Sequence, residues 1–419
     1  MVERQREIRI HDWDPEGSEV LRNSQFNILD TTLRDGVQPS GIKQPTLDEK
    51  LTIIDFDAQV GIEAIDICLP GEKKTPHFQE GIECARYIAE RYPQIEIVVL
   101  TPTREDYVEA TLDFADKAGV KLSSILFRGS SDLRLYAEDW ELDQIVADMY
   151  KFSKQLTDYG HKVISATEDT TRSKPDVLKE IFLAGKAGGA TEFCIADTVG
   201  KVDPVALTNQ INWLKGILGN NELQIQFHGH DDIEHAVSNS MTAIKAGVSK
   251  VHATWLGVGE RAGNTSLEGL LSSLEVRGAN RYDLKPIVEV AILVSRSFGR
   301  PISPNHPLVG ENVFKTTSGI HGAAIHKARE RGLPKEVEEL VYNAVGPAKV
   351  GREHEFGIGP LSGHHIVRLV LDKMSLEFTS EVSEALLYSA RALGRELTDS
   401  EIKGIIREEG RKRNNHYQA

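Results

Sequence analysis

Short apolar runs recur along this chain, and each is followed by a longer stretch in which apolar residues return every three or four positions. The runs are Phe26–Leu29, Ala64–Leu69, Ile95–Leu100, Ser123–Phe127, Lys162–Ala166, Glu192–Ala196, Gln224–Phe227 and Lys250–Ala253. Their length and largely apolar character suit strands covered on both faces. The stretches between them are Leu47–Val60, Phe78–Arg91, Glu105–Ala118, Leu142–Tyr159, Pro175–Ala187, Pro204–Leu218 and Glu234–Ala246. They read as amphipathic helices, with stops at Gly61, Gly119, Gly160, Gly188 and Gly247. Eight such alternations predict an α/β fold, a parallel sheet closed into a (β/α)8 or TIM barrel. One strand fewer would leave a doubly wound sheet as the alternative.

The rhythm stops near Ser266–Arg277, where the barrel is expected to close. Ser297–Pro307 is rich in Pro, Ser and Gly and reads as a linker, and Asn312–Gly363 is Gly-rich with several His. Leu361–Lys373, Ser380–Leu393 and Asp399–Glu409 read as helices of a small subdomain, and the basic Arg411–Ala419 is expected to fray. The expected organisation is an extension at 1–24, a catalytic barrel at 25–296, a linker and subdomain at 297–363, and a helical subdomain at 364–419.

Composition narrows the function classes. The chain has 419 residues, enough for one large barrel and an appendage, and 49 Lys+Arg against 63 Asp+Glu give a net charge of −14. Such a surface has no global affinity for nucleic acid or anionic membrane. Cys68, Cys84 and Cys194 are scattered and form no CxxC pair, which points to buried thiols in a reducing compartment. No apolar run is long enough to span a bilayer, and Met1–Arg9 is polar, so the expected location is the cytoplasm.

The unusual polar residues gather where barrel enzymes keep their chemistry, at the C-terminal ends of the strands. His228 and His230 end the seventh run, and two residues apart on a strand they face one side. With Asp35, after the first run, they form a two-His, one-carboxylate set. That set suits a divalent cation and leaves positions open for substrate. Arg34 precedes Asp35, Glu168 and Asp169 follow the fifth run, Asp197 and Thr198 follow the sixth, and the eighth leads into Gly257-Val258-Gly259-Glu260-Arg261-Ala262-Gly263-Asn264.

Taken together, DTTLRDG at 30–36, EDTTRS at 168–173, ADTVG at 196–200, HGHDD at 228–232, GVGERAGN at 257–264 and SGIHGAA at 318–324 are specific. From about Asn27 to Gly363 the chain resembles the Claisen-condensing barrels, namely 2-isopropylmalate, homocitrate and citramalate synthases, grouped with hydroxymethylglutaryl-CoA lyase among metal-dependent barrels. The resemblance implies an acyltransferase that joins acetyl-CoA to a 2-oxo acid in amino-acid biosynthesis, the leucine branch first, with a divalent cation (Mg, Mn or Zn) as cofactor. It implies Asp35, His228 and His230 as metal ligands, with Asn264 in or beside the coordination shell. Arg34 is implied as the group that stabilises charge on the oxo oxygen. Glu168, His321 and Tyr342 are implied as catalytic residues, with a longer interval between His321 and Tyr342 than is typical of relatives. Thr198, Gln38 and Arg134 are implied as substrate-binding. Thr198 could instead be a helix N-cap, and Arg134 a solvent-facing arginine at a helix start. The resemblance also implies a homodimer in which His321 serves a partner.

Two positions depart from the family pattern. Val37 stands where the synthases carry Glu, and Asp231 where Asn is usual. Leu69–Glu72 and Arg128–Arg134 are the loops in which substrate choice is expected to reside. The first expectation is 2-oxoisovalerate, with homocitrate or citramalate synthesis as alternatives. A carbon–carbon lyase is disfavoured because no Cys follows Cys194. A non-catalytic metabolite-binding barrel is the remaining alternative, and no separate regulatory domain is expected.

Overall fold

The computed structural model describes Ile8 and residues 10–71, 75–219 and 223–416. Glu72, at the end of one expected specificity loop, and most of Met1–Arg9 lie outside the described residues. Eight parallel strands close into a barrel: β1 Asn27–Asp30, β2 Ala64–Cys68, β3 Glu96–Pro102, β4 Ser123–Gly129, β5 Lys162–Glu168, β6 Glu192–Asp197, β7 Gln224–Gly229 and β8 Lys250–Ala253. Closure is set by β1 against β8, with Asn27 opposite Lys250 and Asp30 opposite Ala253. This is the expected TIM barrel, with a helix after each strand. Among the described residues no helix is long and apolar enough to cross a membrane.

Capping chemistry explains why several helices begin and end where the pattern places them. Leu47–Val60 opens on a capping box, in which the Thr46 hydroxyl accepts from the Glu49 N–H and the Glu49 carboxylate accepts from Thr46, and it stops at Gly61 with φ 95°. Pro204–Leu218 is capped by Asp203, with Pro at its first position. Thr198 is therefore not the cap of that helix. The stop after Ala187 is made by Gly189 at φ 99°, since Gly188 keeps a right-handed conformation. Inside the barrel Leu29, Ala64, Val98, Ile125, Ile164, Ala166 and Cys194 form an apolar core, which forces polar chemistry to the layers above and below it.

Contacts divide the chain into Met1–Pro301 and Ile302–Ala419. Within the second part, helices His364–Lys373, Ser380–Leu393 and Asp399–His416 enclose a core around Ile366, Val370, Leu386 and Ile402. The last helix runs on through Arg411–His416, where fraying was expected. That segment is made of polar residues and has no Pro or Gly to stop it. Asn312–Gly363 holds the helix Gly319–Glu330, whose Gly322 packs so closely on Ile366 that a Cβ there would run into it. Two further short helices lie in the first part. Pro15–Asn23 falls in the N-terminal extension, and Asp132–Glu138 falls between β4 and the helix Leu142–Asp158.

Candidate metal centre and substrate cavity

The C-terminal mouth of the barrel holds a cavity of ≈ 240 Å³. Arg34, Asp35, Gln38, Glu168, Thr198, His228 and His230 all line it. Asp35, on the loop after β1, and His228 and His230, at the end of β7, bring their ligand atoms within 4.8 Å of one another. The two Nε2 atoms stand 3.1 Å apart, and Asp35 Oδ2 lies 3.3 Å from His228 Nε2 and 4.0 Å from His230 Nε2. Bonds of about 2.1 Å from one cation put neighbouring ligands roughly 3–3.5 Å apart, so the triangle has the size of a coordination face.

Electrostatics point the same way. Burial pushes the His228 imidazole down to about 3, so it is neutral and offers a lone pair. His230 is also lowered, first by burial. Burial raises the Asp35 carboxyl, but Arg34 and the two imidazoles outweigh it and hold it at about 2. Asn264 Nδ2 donates to Asp35 Oδ2 at 2.8 Å, and Asn264 Oδ1 is buried without a partner. That orphaned oxygen beside an ionised carboxylate and two neutral imidazoles fits a divalent cation. Gly259 makes room for the Asn264 amide, since a Cβ there would come within 2.7 Å of it.

Arg34 is buried and held on two sides. Its Nε donates to Asp66 Oδ2 at 2.7 Å, and its terminal nitrogen lies 3.2 Å from Asp35 Oδ1. Asp66 belongs to β2 and is fully buried, and its role was not visible in any motif. Burial pushes its carboxyl up to about 6, with Arg34 acting in the opposite direction.

The EDTTRS segment turns sharply after β5. Asp169 adopts φ 65°, a conformation Asp tolerates, and grips Arg172 through two 2.7 Å bonds. Its N–H donates to Thr198 Oγ1 at 2.8 Å. Glu168 lines the cavity and its pKa is raised, first by burial, with Arg134 at 3.0 Å pulling it down. Arg134 does not line the cavity. It is paired to Glu168 and Glu138, and its guanidinium lies 5.4 Å from the centre of the Trp140 ring. Arg261 clamps Asp232 through bonds of 2.9 and 3.0 Å and donates to the Thr198 carbonyl, tying the loops after β6, β7 and β8 together.

The two departures have local accounts. Asp231 accepts the Ala236 N–H at 2.9 Å, serving the start of the helix Ala236–Lys245, where a negative charge is favourable. Val37 is half-buried, and its carbonyl accepts from Gln44. In the second part of the chain His321 and Tyr342 stack, with ring centres 3.8 Å apart and planes 22° apart.

Residues 25–294 match the HMGL-like family. The 2-isopropylmalate synthase of Pyrococcus abyssi is 31% identical over 92% of this chain and 78% of its own. The homocitrate synthase of Methanopyrus kandleri is 30% identical over 91% of each. Among solved structures, the hydroxymethylglutaryl-CoA lyase of Pseudomonas aeruginosa superposes with a TM-score of 0.57 at 16% identity, over 66% of this chain and 94% of that one, a likeness of fold.

Proposed function

This chain belongs to the HMGL-like family, and we propose that it is a divalent-cation-dependent acyltransferase that condenses acetyl-CoA with a short 2-oxo acid to an alkylmalate and free CoA. The names of its relatives, synthases of 2-isopropylmalate and of homocitrate, support that chemistry. The observation that carries it is the meeting of Asp35, His228 and His230 beside Arg34 on one wall of a cavity.

In this reading Asp35, His228 and His230 hold the cation, with Asn264 beside them. When bound, the cation supplies Lewis-acid polarisation of the oxo carbonyl. Arg34, fixed by Asp66 and Asp35, turns its remaining N–H groups toward the oxygen on which negative charge develops. The Thr198 hydroxyl already accepts from Asp169, so its proton is left to donate to the oxo acid's carboxylate, with Gln38 on the same wall. Glu168, made more basic by burial, takes the proton from the acetyl methyl group, and His321, with Tyr342 stacked on it, serves the same condensation in the barrel of the partner subunit. The protein acts as a homodimer.

The side chain of the oxo acid is read from the other wall. Leu69, Leu100, Ile125, Phe127, Ala166 and Cys194 are apolar. Arg34, Arg261 and Arg134 are each already paired to carboxylates. A distal carboxylate would lose its water without gaining one of these cations, whereas a branched apolar side chain fits a dry wall. This favours 2-oxoisovalerate. Homocitrate synthesis is the second reading, favoured by the nearness of Arg134 to Glu168. Thiol release from acetyl-CoA with pyruvate, 2-oxoisovalerate and 2-oxoglutarate tests both. Full activity in metal-free protein would overturn the mechanism, and a preference for 2-oxoglutarate would overturn the substrate.

A further inference from the structure

A second cluster of buried carboxyls joins the roots of the loops after β1 and β8, and the chemistry above does not use it. Asp30 ends β1, Asp57 sits in the last turn of the helix Leu47–Val60, and Trp255 stands two residues after β8. All three are 0% exposed. Asp30 Oδ1 accepts from the Thr32 N–H at 2.9 Å and from the Thr32 hydroxyl. That hydroxyl accepts the Trp255 N–H at 2.9 Å, and Trp255 Nε1 donates to Asp57 Oδ1 at 2.8 Å. The ring of bonds closes between the side chains of Asp57 and Asp30.

A bond between two carboxyls needs a proton, because ionised carboxylates only accept. Neither Asp30 Oδ2 nor Asp57 Oδ2 meets another donor among the described residues, and the donors to their Oδ1 atoms are Thr32 and Trp255. The charged groups around the pair do not replace that proton. Glu268, on the helix Leu267–Val276, and Asp66, on β2, face Asp30 and are acidic. Lys50, on the Asp57 helix, is paired with Glu80 at 2.6 Å, and Glu289 and Arg296 of the adjoining helix Ile287–Phe298 are exposed. Asp30 Oδ1 takes two donors and Asp57 Oδ1 takes one, so Asp30 is the better-held anion and the proton stays on Asp57. Burial, and then the charge of Asp30, push the Asp57 carboxyl well above its usual range.

We propose that Asp57 is a positioning residue, a neutral carboxylic acid that donates to Asp30 and accepts from Trp255 and so pins the loop carrying Arg34 and Asp35 to the loop carrying Asn264. The pinned roots are short steps from the chemistry. The N–H groups of Arg34, Asp35 and Gly36 reach back to the Thr31 carbonyl, one residue from Asp30, at 3.2, 2.8 and 3.3 Å. Gly36 packs so closely on the β8 loop that a Cβ there would lie 2.6 Å from the Val258 side chain. The Asn264 N–H donates to the Gly257 carbonyl at 3.0 Å. A shift of Trp255 is therefore passed to both loops. The proposal rests on the metal-centre reading for what the loops hold, and not for the proton.

The test separates the proton from the packing. In Asp57→Asn the amide NH2 donates to Asp30 and the amide oxygen accepts from Trp255, so the bonds stay and the acid is gone. Asp57→Leu, with Asp57→Ser in reserve if the first does not fold, breaks the ring. At pH 8, infrared spectra of protein carrying 13C-labelled aspartate should show a carboxylic-acid C=O band in the wild type that Asp57→Asn lacks. Hydrogen exchange of metal-free protein, read by mass spectrometry, should quicken about tenfold over residues 31–36 and 255–264 in Asp57→Leu and hold at the wild-type rate in Asp57→Asn, tenfold being the scale of one hydrogen bond. The calorimetric Kd for Mn2+ should weaken by a similar factor in Asp57→Leu and return to the wild-type value in Asp57→Asn. An absent acid band, slow exchange or an unmoved Kd in folded Asp57→Leu, or fast exchange in Asp57→Asn, each overturns the proposal. If wild-type protein binds no Mn2+, the metal-centre reading fails on its own, and the band and the exchange rates still decide the role of Asp57.

Discussion

Asp66→Asn isolates what a buried carboxylate does for the arginine at the metal centre. Asp66 holds Arg34 Nε at 2.7 Å, and both residues are buried. Asn is isosteric and can still accept from Nε, so the barrel should fold. What is lost is the charge on the acceptor. The Arg34 guanidinium keeps its own charge, so the remaining bond is still charge-assisted, at the weaker end of the range of about 1.5–3 kcal/mol, and losing the second charge should weaken the aim of Arg34 by roughly 1–2 kcal/mol. If that difference is felt where charge develops on the oxo oxygen, kcat falls about 5–30-fold and KM changes little. Thiol release followed continuously with a chromogenic disulfide reads both constants. pH supplies a second handle. Burial puts the Asp66 carboxyl at about 6, so wild-type activity should decline as pH falls through that region and Asp66 takes up a proton. The Asn variant, already neutral there, should lack that limb. Wild-type kcat in Asp66→Asn, alongside a large loss in Arg34→Gln, would refute the idea that Asp66 positions Arg34.

The remaining predictions are briefer. His228→Ala or His230→Ala should abolish thiol release while circular dichroism and the melting transition stay near wild type, and a chelator should do the same until a divalent cation is restored. Asp35 has a folded-state pKa of about 2, below its unfolded value, so in metal-free protein its contribution to stability is present above about pH 4. That contribution is lost as pH falls toward 2, and urea titrations of wild type and Asp35→Asn should converge there. Mixing inactive His321→Ala and Asp35→Ala proteins should restore part of the activity, whereas a fully active monomer in light scattering would contradict the dimer. Arg134→Ala removes the cation that lowers the Glu168 pKa, so the acid limb attributed to Glu168 should move to higher pH. The preference between 2-oxoisovalerate and 2-oxoglutarate should hold, because Arg134 lies outside the cavity wall.

The elements legible in the chain were those whose ends are written in local chemistry. Leu47–Val60 is bounded by a capping box and a left-handed Gly, and Pro204–Leu218 opens on Asp203 and Pro204, so periodicity and caps agree. The helix Asp132–Glu138 is harder to read, and enters the sequence analysis only as the alternative helix start at Arg134, because the Ser131 cap opens a stretch too short to show a full period before the longer pattern at Leu142. The cavity residues Asp35, His228 and Thr198 stand at the ends of apolar runs, where polar character is conspicuous. Asp66, Gln226 and His252 are harder to see because they lie inside such runs and belong to no motif.

Yet strand period alone can find them once the barrel is accepted. Ala64 belongs to the interior layer, so Asp66, two residues on, must face the interior nearer the mouth. The same step leads from Gln226 to His228 and from Lys250 to His252. An inward polar residue in a closed barrel cannot turn to water, and each one found here is paired, at Arg34, Glu192 or Gln226. Each of two of these side chains keeps one further atom without a partner, Asp66 Oδ1 and His252 Nδ1. A polar residue at an inward position of a parallel barrel therefore implies a partner on a neighbouring strand.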